Sequence, residues 1–254
     1  MHEMTRAEIW LYGVLASSLA GAATGLGAFP VFFFKKLPGH RLMDSMLGFA
    51  AGVMLAATIF SLIIPAIEIG GLFITVLGVI VGAFVIELID RFTPHQHFQK
   101  GHEGPSAKVL KKIWLFVIAI TLHNFPEGIS VGVGYGGGDF AMGTSLAVAI
   151  GLQNVPEGTA VAASLIKVGY KPSRAILYSF LTGLVEPIGG LLGATMVVIA
   201  EPALPFFLAL AAGAMLYVIS DEIIPETHAH GFESAATFSL LAGFLVMMIL
   251  DNIF

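Results

Sequence analysis

Uninterrupted apolar runs of about 20 residues recur along this chain, the length an α-helix needs to cross ~30 Å of hydrocarbon at ~1.5 Å per residue. Composition agrees, since 57% of the residues are hydrophobic, 11% are charged and the mean hydropathy is +0.90. A membrane β-barrel would instead need short alternating strands, and none is evident. The runs predict an all-α polytopic membrane helical bundle with spans at about residues 10–34, 45–67, 71–90, 113–135, 141–166, 175–200, 204–225 and 235–253. All eight spans are expected to pack as one transmembrane domain over 1–254, and the polar stretch Met1 to Ile9 suits at most a brief interfacial helix. The first run is too long for a cleaved signal peptide.

Charge placement sets the expected orientation. Lys35, Lys36 and Arg41 follow the first span, Arg91, Lys100, Lys108, Lys111 and Lys112 the third, and Lys167, Lys171 and Arg174 the fifth. Eleven of the twelve basic residues thus fall on one side, which the positive-inside rule makes cytoplasmic, with both termini extracytoplasmic and a bacterial-type inner (cytoplasmic) membrane as the location. A net charge of −5 argues against a nucleic-acid partner. The absence of cysteine excludes thiolate ligands, so any bound metal must rest on N, O or methionine S.

The sequence also repeats itself. AAGVML at 50–55 leads to IIP at 63–65, and AAGAML at 211–216 leads to IIP at 223–225, in spans expected to cross in opposite directions. Between them lie LHNFPEG at 122–128 and LQNVPEG at 152–158, also in oppositely directed spans. Inverted repeats with proline-interrupted helices meeting at the midplane are a transporter pattern, here 3+2+3. On a helix His123 and Glu127 share one face, and Gln153, Asn154 and Glu157 repeat the positions of His123, Asn124 and Glu127. Pro126 and Pro187 cannot donate to the carbonyls of Leu122 and Gly183. A carboxylate near mid-membrane costs about 2.5–3.5 kcal/mol, so Glu127, Glu157 and Glu186 need partners. Together with the imidazole and amides they form an N/O set for a borderline divalent cation such as Zn, Fe, Mn or Co. Interhelical hydrogen bonding and a proton relay are the other uses such groups have in membranes.

HNFPEG and QNVPEG in adjacent central spans, followed by EPIGG at 186–190, closely resemble the ZIP family of divalent metal transporters, over nearly the whole chain. The resemblance implies movement of Zn2+ and related metals toward the cytoplasm through a two-metal centre between spans 4 and 5. Carried over by motif position, His123, Glu127, Gln153 and Glu157 would hold one ion. Asn124, Asn154 and Glu186 would serve a second, with Glu127 and Glu157 bridging. Gln153 and Asn154 depart from family members that have histidine or aspartate there, and neutral amides bind metal less tightly.

Other polar residues extend the expected metal pathway with weaker arguments. Ser61 precedes Pro65 in span 2. Asp221, Glu222, His228 and His230 lie in SDEIIPETHAH at the end of span 7, where a solvated helix end is the plain alternative. His95, His97 and His102 occupy the cytoplasmic loop at about 91–112, a weak metal-binding tract or a simple linker. The Gly134 to Gly138 run reads as a turn. An intramembrane hydrolase would need HExxH or an activated Ser or Asp pair, and neither occurs, so the chain is not expected to be an enzyme. The expected partners are divalent metal ions and the lipid bilayer, with a homodimer as the assembly considered.

Overall fold

The computed structural model describes residues 4–33, 37–92, 95–97, 101–103, 112–167 and 169–253, without the side chains of 90, 92, 95–97, 101–103 and 112–120. The long helices α1 (Arg6–Ala28), α2 (His40–Ala57), α3 (Ile64–Phe92), α4 (Lys112–Gly136) and α5 (Phe140–Lys167) come first. They are followed by α6 (Pro172–Gly183), α7 (Glu186–Ile199), α8 (Leu204–Val218), α9 (Ile224–Thr227) and α10 (Glu233–Ile253). Five stretches among the described residues are long and apolar enough to cross a membrane: Arg6–Phe32, His40–Ile89, Pro172–Ile199, Glu201–Thr227 and Glu233–Ile253. The second covers 50 residues, ~75 Å of helix at ~1.5 Å per residue, with a break at Gly71. At Gly71 φ is 76° and ψ 169°, a conformation open to glycine because it has no Cβ.

Several elements differ from the sequence reading for identifiable reasons. The first helix begins at Arg6, because Thr5 and Glu8 form a capping box: the Glu8 N–H donates to the Thr5 hydroxyl at 3.3 Å and the Thr5 N–H to the Glu8 carboxylate at 2.7 Å. Met4 to Ile9 is therefore no separate interfacial segment. Neither Pro126 nor Pro156 interrupts its helix. Packed neighbours hold a membrane helix through the loss of one backbone bond. The expected sixth span is two helices instead, broken at Leu184 and Val185, with Pro187 in the first turn of α7 where no N–H is needed. The loop at 91–112 is not purely irregular: β1 (His95–His97) pairs antiparallel with β2 (Gly101–Glu103), Gln96 opposite His102.

Both AAGxML segments run into a π-helical turn, Thr58–Ile63 after α2 and Ile219–Ile223 after α8, so the repeated sequences share an irregularity as well as a motif. Packing divides the helices into two groups. α1 packs on α4, α5, α6 and α7, and α4 on α5 and α7; separately, α3 packs on α8 and α10 on α2. The groups meet chiefly along α2 with α5 and α4 with α8. Outward residues such as Leu19, Leu26, Phe73, Ile199 and Phe238 remain exposed and apolar, as lipid-facing positions must.

Candidate metal centre

Three elements bring the motif residues together: α4 carries His123, Asn124 and Glu127, α5 carries Gln153, Asn154 and Glu157, and Glu186 is the first residue of α7. All seven are buried, with Asn124, Glu127, Gln153, Asn154 and Glu186 at 0% exposure. The closing glycines of the two motifs allow this convergence. A Cβ on Gly128 would stand 2.2 Å from the Glu186 carbonyl oxygen, and one on Gly158 would stand 1.8 Å from the Thr24 carbonyl oxygen. Backbone therefore packs on backbone at both places, and Glu186 is drawn against α4 at the positive end of its helix.

Amides meet the carboxylates directly. Gln153 Nε2 donates to Glu127 Oε1 at 2.6 Å, and Asn154 Nδ2 donates to Glu186 Oε1 at 2.7 Å and to the Ala20 carbonyl at 2.8 Å. Glu127 also lies within electrostatic reach of Glu157 and Glu186, and Glu157 within that of His123. Asn124 Oδ1, Glu127 Oε2, Gln153 Oε1, Asn154 Oδ1, Glu157 Oε1 and Glu186 Oε2 are buried without a hydrogen-bond partner. Buried oxygens left unpaired are costly. A divalent cation would satisfy them, and an oxygen-rich set with one imidazole suits a hard or borderline metal.

As placed, no three His, Asp or Glu side chains converge on a single point among the described residues. The reason is visible at His123, whose Nε2 contacts Glu222 Oε2 rather than facing Glu157 alone. Glu222 is buried at 6% exposure in the π-helical turn after α8, so for this residue the solvated helix end is not what forms. A small pocket between α3, α4 and α8 opens beside it, lined by Ile86, Ile89, Leu122, Phe125 and Val218.

The other expected pathway residues divide. Ser61 is buried and donates to Asp251 Oδ1 at 2.7 Å, a carboxylate that local sequence pattern does not connect to it. His228 braces the turn between α9 and α10, reaching the Ile224 carbonyl at 2.9 Å and the Thr237 hydroxyl at 3.2 Å, which is a structural task. His230 contacts Asp44 Oδ1 at 3.0 Å, and Asp221 is half-buried beside Glu222. The side chains of His95, His97 and His102 lie outside the described residues. Gly137 and Gly138 form the expected turn, while Gly134 and Gly136 stay in α4.

Comparison with known proteins identifies the family. The family model described as "ZIP Zinc transporter" matches residues 94–251. The zinc transporter ZIPB of Bordetella bronchiseptica is 44% identical over 253 residues, covering 95% of this chain and 81% of that protein. The zinc transporter GufA of Myxococcus xanthus is 42% identical over 248 residues, covering 94% of this chain and 97% of that one. The human zinc transporter ZIP11 is 34% identical across 94% of this chain and 96% of its own length. The buried carboxylates, the apolar helices around them and these matches lead to one conclusion: the chain belongs to the ZIP family of zinc transporters, multi-pass membrane proteins that are transporters and not enzymes.

Proposed function

We propose that this chain carries Zn2+, and related divalent metals with lower preference, into the cytoplasm through the buried set on α4, α5 and α7. The observation that carries the reading is the cluster of buried, unpartnered oxygens on residues drawn from three elements. Eight spans in an inverted 3+2+3 arrangement, with both termini extracytoplasmic, are part of the same proposal. The basic residues at one end and the shared π-helical turns of the two repeats support it.

In this mechanism Glu127 and Glu157 hold the cation as a charged pair, with Gln153 and His123 completing the shell. The cation replaces the Gln153 amide hydrogen at Glu127, and the Gln153 oxygen, already without a partner, turns to the metal. A second position by Asn124, Asn154 and Glu186 fills less readily, because Asn154 has both amide hydrogens engaged at Ala20 and Glu186. His123 stands between the carboxylate pair and Glu222, beside the pocket under α3, and passes the ion that way. Because carboxylate and imidazole ligands must be deprotonated, occupancy falls as pH falls.

The test is zinc uptake by the purified protein in proteoliposomes. Glu127→Gln or Glu157→Gln should lower flux by ~10-fold or more, the scale set by groups that only support a metal. A Glu157→Gln protein that transports like the wild type would end the mechanism.

A further inference from the structure

Away from the midplane, four titratable side chains meet where α2 begins and α9 ends, at the end of the bundle rich in basic residues. Asp44 on α2 is 1% exposed, and its ion-pair partner among the described residues is His230, whose Nδ1 stands 3.0 Å from Oδ1. The other carboxylate oxygen, Oδ2, is buried with no partner. His40, one helical turn before Asp44 and exposed at the start of α2, stacks its ring on His230 with centroids 4.1 Å apart. Glu226 on α9 lies within electrostatic reach of both His230 and Asp44, and Lys167 at the end of α5 within reach of His40.

A buried carboxylate with one oxygen unmatched and two imidazoles in contact is a poor arrangement for structure alone. The unmatched oxygen carries a desolvation cost that no described group offsets. Two His and two acids are, however, a ligand set that zinc takes readily. We propose that Asp44, His230, His40 and Glu226 form a second divalent-cation site, separate from the midplane set and on the cytoplasmic face in the orientation given above. As with the midplane residues, three ligands do not yet converge. Rotation of the exposed His40 ring off His230 supplies the missing nitrogen.

The site does not depend on the transport mechanism, so it is tested where that mechanism is disabled. Full-length Glu127→Gln/Glu157→Gln protein in nanodiscs is equilibrated with zinc, and bound metal is counted. One zinc per chain should remain and should be lost on adding either Asp44→Asn or the surface change His40→Ala. With Co2+ as the probe, the visible absorption of the remaining ion should change on adding His230→Ala. No residual zinc in the double variant, or residual zinc untouched by Asp44→Asn and His40→Ala in protein that elutes and melts like its parent, overturns the proposal. Loss of flux in Glu157→Gln bears only on the midplane mechanism.

Discussion

Glu222 is buried against His123 while its neighbour Asp221 is half-buried, so one carboxylate of the pair faces the interior. If cargo leaves the midplane past His123, Glu222→Gln removes the charge that receives it and leaves the Glu127 and Glu157 pair intact. Zinc content of the purified variant should match the wild type while flux in proteoliposomes falls several-fold; equal flux would remove Glu222 from the path. Asn154→Ala should cost less flux than either midplane Glu→Gln change, because it takes away a neutral ligand. That the motif residues on α4, α5 and α7 would be buried together was legible in the sequence, because helical periodicity places i and i+4 on one face and because acids in apolar runs are conspicuous. The partners of Glu222, Asp251 and Asp44 were not, although Glu222 itself stood out as a pathway residue. Their partners lie 99, 190 and 186 residues away in the chain, and local pattern carries no information about such pairs.

Among the elements, the crossing of α1 and α5 depends on Gly158, where a side chain would meet the Thr24 backbone. Neither helix backbone can yield without moving its neighbours. Gly158→Val should destabilise the protein by about 1–3 kcal/mol or more and lower its thermal midpoint in detergent. Gly151→Ala on the same helix is the control, since its Cβ would meet only Ala20 Cα at 3.9 Å, and it should be neutral or slightly stabilising. Equal behaviour of the two variants would disprove the close-packing account. Apolar run length revealed the helices, yet the π-helical turns at Thr58–Ile63 and Ile219–Ile223 were not legible, because inside a continuous apolar run an extra residue in one turn leaves the composition unchanged. The break at Leu184 and Val185 did leave one, Pro187, which serves as a helix start rather than as a defect inside a continuous helix.

For the whole molecule, α5, which carries three of the seven candidate site residues, is largely enclosed, with Gln153, Asn154, Pro156 and Glu157 all buried. Enclosure by α1, α2, α4 and α6 lets it carry residues that lipid would not accept. The proposed orientation rests on the basic residues alone and is open to a direct check: cysteine at Gly138 should react with an impermeant reagent from outside, and cysteine at the exposed Ser173 only from inside. The reverse pattern would invert the direction of uptake.

The amide hydrogens of Gln153 and Asn154 occupy, at rest, the place a cation's positive charge would take beside Glu127 and Glu186. An aspartate in place of Asn154 would set oxygen against oxygen at both Ala20 and Glu186 and would need an ion or a proton to hold the helices together. With glutamine and asparagine there, one oxygen of Glu127 and one of Glu186 accept a hydrogen bond without an ion, so these two interhelical contacts do not wait on metal supply.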